Sequence, residues 1–377
     1  MKLMHISDLH IGKMFKNLSL LEDQRFILEQ IVQIAQDERV DGVLIAGDVY
    51  QKSSPQAEAM GLFDDFVNRL CESGIHVFMI SGNHDSEQRI AYFSRLIRRA
   101  GVYANECFDG TIQKVELTDI YGKINIHLLP FIKPANVRGF YPGEKIASYQ
   151  DAVALALENS PIDSRERNIL LCHQFITGAE TSESEEKTIG GLDNIDASLF
   201  DAYDYVALGH IHKPQRLRRD TLRYAGSPLK YSLSEAEHRK SVCIVDIREK
   251  GDITVKTCPL TPLHEVRRVA GLFDDVMAMP YSEDYVAVTL HDETIPRDAQ
   301  VDIRNTVFPH MISFAVENSK MKETRDVLAT ETIENKTPMD LFADFFRLQN
   351  NEVEPTEKHM EIHRSEERRV GKECRSR

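Results

Sequence analysis

The stretch Lys2-Leu3-Met4-His5-Ile6-Ser7-Asp8-Leu9-His10 decides the fold. Lys2–Ile6 is a short apolar run, the right length for a buried strand. It breaks into Asp8-Leu9-His10, where the two-residue strand period puts both polar side chains on one face. The same event recurs downstream, where Gly42-Val43-Leu44-Ile45-Ala46 breaks into Gly47-Asp48. Further clusters stand at Gly82-Asn83-His84-Asp85, His173, Gly209-His210-Ile211-His212 and Gly226-Ser227. Side chains at the ends of neighbouring strands can converge although they are far apart in sequence. A lone Asp or His at a strand end is usually a cap, a turn or a surface residue. Asp-x-His and His-x-His in one chain, with Gly-Asp and Gly-Asn-His-Asp between them, make a donor set for two metal ions. Asp, Asn and His without Cys suit manganese, iron or magnesium better than structural zinc.

In this order the clusters resemble the calcineurin-like metallophosphoesterase superfamily, whose pattern is Asp-x-His, Gly-Asp, Gly-Asn-His-Asp/Glu, a lone His and Gly-His-x-His. Three segments, His5–His10, Ala207–His212 and Tyr224–Leu229, are similar more narrowly to the SbcD-like nuclease subunits of bacteria. That likeness runs over about residues 1–363. It implies an α/β fold, a four-layer α-β-β-α metallophosphatase sandwich with a small C-terminal α/β capping domain and a partner-binding C-terminal helix. It also implies an activity: manganese-dependent hydrolysis of DNA, as a 3'-5' double-strand exonuclease and a single-strand and hairpin endonuclease. The implied partner is an SbcC ATPase, and the implied setting is DNA repair, replication and recombination.

On the matching positions, Asp8, His10 and His212 would hold one divalent ion, and Asn83, His173 and His210 the other, with Asp48 bridging. Both ions are expected to be Mn2+. His84 would stabilise the transition state and protonate the leaving alcohol, and Asp85 would orient the His84 ring. Relatives pair their nuclease domains on DNA ends and hairpins, so a homodimer within a heterotetramer is implied; surplus apolar residues near Met60–Phe66 and Tyr92–Leu96 fit that or the core equally. Several relatives carry a His near the position of Gln51, where this chain reads Val49-Tyr50-Gln51, so the role of that His is not carried over. His5, His127, His264 and His291 fall outside the motifs and read as core or surface residues.

Composition sets the bounds. At 377 residues the chain is long for one core. Its 42% apolar and 28% charged residues are ordinary for a globular protein. No apolar stretch reaches the roughly 18 residues of a membrane span, and Asp8 and His10 interrupt any signal peptide; a cytoplasmic, nucleoid-associated protein is expected. Six cysteines without C-x-x-C spacing read as buried reduced thiols. A net charge of −14 argues against nucleic acid at first sight, but Arg95, Arg98 and Arg99, and Arg216, Arg218 and Arg219, are candidates for a basic rim. No Walker A loop is present, so any ATP-driven activity needs a separate ATPase.

Residues 1–262 alternate strands with amphipathic helices and are assigned to the nuclease domain. Helices are expected over Glu22–Glu38, with Phe26, Ile27, Ile31, Ile34 and Ala35 on one stripe, and over Gln56–Leu70. Thr177–Gly191 is polar and acidic and reads as an exposed loop. Residues 263–335 are assigned to the capping domain, with a β-α-β unit at Tyr285–Leu290, Pro296–Asn305 and Met311–Glu317. Residues 336–363 form the partner-binding segment, in which Thr337 and Pro338 open a helix with Leu341, Phe342, Phe345, Phe346 and Leu348 on a wide apolar face. Arg364–Arg377 carries net charge +3 and matches the conceptual translation of a common sequencing adapter, so it is expected to be non-native and without function. The competing function is a small-molecule or protein phosphatase on the same fold. A scaffold with a decayed site is disfavoured, because no ligand is missing.

Overall fold

The computed structural model describes residues 1–92, 94–185 and 194–317, with 339, 342–343, 346–347 and 354–360 beyond them. Two six-stranded sheets dominate. The first runs, in spatial order, Ile253–Pro259, Ser241–Ile247, Lys2–Ile6, Gly42–Ala46, His76–Ile80 and Val102–Ala104. The second runs Gln215–Leu217, Arg219–Tyr224, Tyr205–Gly209, Arg167–His173, Gly122–Leu129 and Gln113–Asp119. In the first, Lys2–Ile6, Gly42–Ala46 and His76–Ile80 pair in parallel. In the second, Gly122–Leu129, Arg167–His173 and Tyr205–Gly209 do the same. Antiparallel strands flank both parallel cores, including the expected hairpin of Ser241–Ile247 with Ile253–Pro259.

The apolar runs build three layers of core because their side chains alternate. Leu3, Leu44, Phe78, Ile169, Leu171, Tyr205 and Ala207 pack between the two sheets. Their neighbours Met4, Val43, Ile45, Val77 and Met79 face outward onto the helices Leu21–Asp37 and Ala57–Glu72, meeting Ile27, Ile31, Val32, Leu62 and Phe66. On the far side, Leu170, Cys172, Val206 and Leu208 pack beneath the helix Tyr149–Glu158 through Ala152, Val153 and Ala156. The result is the expected α-β-β-α sandwich. One helix position differs: Phe26 is exposed and Leu28 is in the core, because at 100° per residue Phe26 points to the face opposite the stripe of Ile27, Leu28, Ile31, Val32 and Ala35. Cys107 is likewise exposed, whereas Cys172 and Cys243 are buried.

The C-terminal appendage has a three-stranded sheet, Val266–Gly271, Tyr285–Leu290 and Met311–Val316, with short helices Phe273–Met277 and Ala299–Thr306. The expected β-α-β unit is there, with one edge strand and one helix that the sequence reading did not include. The chain divides into two compact units, Met1–Thr289 with Arg297–Ala315, and Leu290–Pro296 with Val316–Arg377. In the second, the described residues of Thr337–Leu348 (Met339, Phe342, Ala343, Phe346 and Arg347) are helical. The Phe342 and Phe346 rings lie 6.1 Å apart, and Phe346 meets His359 at 4.7 Å. The rest of that helix and the tail 364–377 lie outside the described residues.

Alternation also explains two glycines. Gly209 continues the inward series Tyr205, Ala207, and a Cβ there would sit 1.8 Å from the carbonyl oxygen of Ala46. Gly82 continues the series Phe78, Ile80, and a Cβ there would sit 2.0 Å from Oδ1 of Asp48. Gly209 thus lets the two sheets close on each other at the ends of their parallel strands, and Gly82 lets two neighbouring strand ends of the first sheet approach. Gly209→Ala is expected to lower stability by about 1–3 kcal/mol through overpacking against rigid backbone; a urea melt matching the parent protein would exclude this close approach.

Candidate metal centre

Each motif follows the carboxyl end of a parallel strand, the edge where open α/β sheets hold ligands. Asp8, His10, Asp48, His173, His210 and His212 are all buried. Four of them, Asp8 (φ 54°), His10 (φ 44°), Asp48 (φ 50°) and His210 (φ 102°), have left-handed backbone. Among the described residues only Lys16, Arg39 and Arg218 share that property outside glycine. Strain of this kind, of order 1–3 kcal/mol per residue, gathers at functional sites.

Two groups of donor atoms form side by side. His10 Nε2 and His212 Nε2 are 3.1 Å apart, and Asp8 closes the same cluster. Asn83 Oδ1 lies 3.0 Å from both His173 Nε2 and His210 Nδ1. Between them, Asp48 Oδ2 stands 3.6 Å from His10 Nε2 and 3.3 Å from His173 Nε2. The sequence motifs thus converge on one spot. His173 Nδ1 donates to the carbonyl of Ala46 at 2.8 Å, which leaves Nε2 to face Asn83 and Asp48. With this many nitrogen and oxygen ligand atoms within 3.0–3.6 Å of one another, the donor set fits a pair of divalent cations.

The electrostatics agree. Burial opposes it, yet the Asp48 carboxylate holds the His173 imidazole up to about 9. Asp48 in turn, despite its burial, is held far below the usual carboxylate range by His173 and His10. Burial, with His173 adding to it, pushes His210 down to about 3. The field at this spot therefore favours a cation next to Asp48.

His84 sits at the rim, its ring 4.8 Å from that of His10, with its backbone N–H on Asp48 Oδ1 at 2.9 Å. Asp85 is expected to orient the His84 ring, and the contacts described for the two residues run to backbone groups. His84 Nδ1 faces the carbonyl of Gln51 at 3.1 Å. Asp85 instead accepts from the backbone N–H groups of Val49, Tyr50 and Gly82 at 3.0, 2.9 and 2.9 Å. Two of these amides belong to the loop after Asp48 and the third opens the turn at Gly82. Asp85 so ties the loop after Asp48 to the loop bearing Asn83. Burial and then the Asp48 charge push it up to about 6, against those three amides.

The sequence reading missed what stands behind His212. Thr177–Gly191 is not wholly an exposed loop, since Ser182 and Glu185 are buried. Glu185 Oε1 accepts from the His212 backbone N–H at 2.8 Å. Ser227, marked from sequence as a further cluster, lies among these supporting groups and accepts from the ammonium of Lys240 at 2.7 Å. Glu235 is fully buried and pairs with Lys240 Nζ at 2.5 Å. Despite its burial, Lys240 and His212 hold Glu235 well below the usual carboxylate range. No spacing rule marks these residues, because they come from a turn and a strand start outside the motifs. His5 and His127 are core residues as expected, bonded to Tyr205 and Asn168. Of the basic candidates, Arg219 donates to the carbonyls of Phe200 and Tyr203, and Arg95 and Arg98 share Glu106 at 3.6 and 3.7 Å. Arg216 and Arg218 pair with Asp220 and Asp201.

The family model for calcineurin-like phosphoesterase matches residues 1–214, and that for the type 5 capsule protein repressor C-terminal domain matches residues 262–350. The SbcD subunit of the nuclease SbcCD from Staphylococcus epidermidis is 35% identical over 281 residues, covering 74% of this chain and 74% of its own. Its namesake from Staphylococcus saprophyticus is 30% identical over 321 residues, covering 83% and 84%. Among solved structures, a dimetal phosphatase from Danio rerio overlays with a TM-score of 0.40 at 11% identity, over 70% of this chain and 98% of that one.

Removing the Asp85 carboxylate should loosen the tie between the two loops. Asp85→Ala is expected to cost roughly 1–3 kcal/mol by leaving amides unpaired, and Asp85→Asn less, because its oxygen still accepts. Equal urea midpoints for Asp85→Ala and the parent would rule this tie out.

Proposed function

This chain belongs to the calcineurin-like phosphoesterases and, within them, to the SbcD nuclease subunits, and from that premise we propose that it hydrolyses DNA phosphodiesters with two manganese ions. The observation that carries this reading is the convergence of seven side chains from separate strand ends, with Asp48 between two donor groups. Asp8, His10 and His212 would hold one ion and Asn83, His173 and His210 the other, with Asp48 shared between them. Two divalent ions at such a site supply an activated water and a clamp on phosphate oxygens. The Asp, Asn and His donors, without Cys, suit manganese, iron or magnesium better than structural zinc.

The chain's own residues do the rest. His84, at the rim with its ring braced on the Gln51 carbonyl, stabilises the transition state and donates a proton to the leaving oxygen, a task imidazole performs near neutral pH. Asp85 keeps the loops of Asp48 and Asn83 in register. The activity is exonucleolytic on duplex ends and endonucleolytic on single strands and hairpins. Its partner is an SbcC ATPase, which supplies the ATP chemistry for which this chain has no Walker A loop. The C-terminal family match begins at residue 262, which supports a nuclease domain over 1–262; within the remainder, residues 263–335 are proposed as the capping domain and 336–363 as the partner-binding segment.

End-labelled duplex, hairpin and single-stranded DNA, incubated with Mn2+ or Mg2+ with and without SbcC, test the reading. Cleavage with Mn2+ is expected, and turnover of para-nitrophenyl phosphate without any DNA cleavage would replace it with a phosphatase. His84→Gln is expected to keep two bound ions by elemental analysis and lose about 10²–10⁴-fold in rate. Asp48→Ala is expected to lose metal and activity together, and retention of both ions would remove Asp48 as the bridge.

A further inference from the structure

The histidines of the metal centre are backed in different ways. His173 Nδ1 donates to a backbone carbonyl, that of Ala46 at 2.8 Å. His10 Nδ1 is buried without a hydrogen-bond partner. His212 Nδ1 alone faces a buried carboxylate, Glu235 Oε1 at 3.2 Å, and beside it Ser184 Oγ at 2.9 Å. The serine adds no donor there. Its hydroxyl donates to Glu235 Oε1 at 2.5 Å, so its oxygen can only accept from the ring. Its other neighbour, Ser182 Oγ at 2.9 Å, already donates to Glu185 Oε2. With two acceptors at Nδ1, that nitrogen carries the hydrogen, and Nε2 turns its lone pair toward His10.

The carboxylate is itself fixed. Glu235 Oε2 receives Lys240 Nζ at 2.5 Å, and the same ammonium donates to the His212 carbonyl at 2.8 Å and to Ser227 Oγ at 2.7 Å. Glu235, Ser227, Lys240 and His212 are all nine-tenths buried or more. Lys240 thus grips both the backbone of His212 and the carboxylate behind its ring. Such a carboxylate–histidine pair orients the ring and raises its basicity as a ligand, and its loss typically costs 10–100-fold in metal affinity.

We infer that Glu235, held by Lys240, is the positioning residue for His212 and makes the Asp8–His10–His212 site the tighter of the two metal sites. The inference rests on the proposed ligand set. Glu235 touches neither substrate nor metal and acts through the ring of His212.

The test is an Mn2+ titration of the full, chelator-stripped chain, followed by electron paramagnetic resonance. The parent is expected to bind one equivalent more tightly than the other. Glu235→Gln should weaken the tighter equivalent about 10–100-fold and leave the second in place. Because Glu235→Gln leaves a buried lysine unpaired, the double variant Glu235→Gln, Lys240→Met is measured alongside. It should show the same selective weakening while still melting cooperatively, since it buries no unpaired charge. Nitrogen-15 spectra of the His212 ring provide a readout that a purely structural role would not move. They should show hydrogen on Nδ1 in the parent and a mixture of tautomers without Glu235. His212→Ala separates the two ideas, since it should abolish the tight equivalent. If His212→Ala loses that ion while both Glu235 variants keep it, the positioning role is overturned. If His212→Ala keeps both ions, the ligand assignment itself fails. Lower melting temperatures with unchanged Mn2+ affinity would reduce Glu235 to a stabilising residue and overturn the inference.

Discussion

The molecule depends on how closely its two sheets approach at one edge. Through most of their length a full layer of Leu, Ile, Phe and Tyr side chains holds them apart. At the carboxyl ends of the parallel strands that layer stops, and glycine takes the inward positions at Gly82 and Gly209. The carbonyl of Ala46 then nearly touches the backbone of Gly209 and also receives the ring of His173. Donors from one sheet and donors from the other come within reach only because nothing larger stands between them. The donor atoms themselves lack any hydrophobic reason to cluster. Apolar packing further down the sandwich holds them together.

The sequence made the frame and the inner ring of the site legible, and the reason is periodicity. Alternation in Lys2–Ile6, Gly42–Ala46 and Tyr205–Gly209 reports a strand, and a polar break just past its end reports what that strand delivers. Residues that act on the site from outside that rhythm were invisible. Glu235 lies in a single 3-10 turn and Lys240 just before a strand, and an isolated Glu and Lys five residues apart look like any solvated pair. Ser182 and Glu185 belong to an acidic segment whose composition predicts exposure, yet they are buried where that segment bonds to His212 and Glu235. Asp85 is marked by its motif, but the amides that it accepts from are not. Adjacency in sequence suggested the His84 ring, whereas the turn geometry offered three backbone amides.

The buried charges follow a common pattern. A carboxylate enters the interior only where cationic or amide donors already wait for it, as for Asp48 among imidazoles and Glu235 against Lys240. Elsewhere Asp119 is matched by Arg167 and by the chain's own terminal ammonium, at 2.6 and 2.8 Å. The overall negative charge of the chain therefore says little about the sign of the field where chemistry would take place. That field is set by a few desolvated groups within hydrogen-bonding distance of one another.

The left-handed backbone at Asp8, His10, Asp48 and His210 restricts how this site can change over evolutionary time. In that region of φ and ψ, Asp, Asn and His are enriched, while β-branched and bulky side chains are nearly excluded. The donor types at these four positions therefore satisfy two independent filters, one for coordination and one for backbone shape. A mutation toward a different metal must pass both at once. Threonine or valine fails on conformation before any ion is considered, and glutamate brings a suitable oxygen to a backbone that does not favour it. The path of least resistance between ligand sets runs through aspartate, asparagine and histidine alone, so the vocabulary of the site is bounded by the shape of its turns as much as by the ions it would hold.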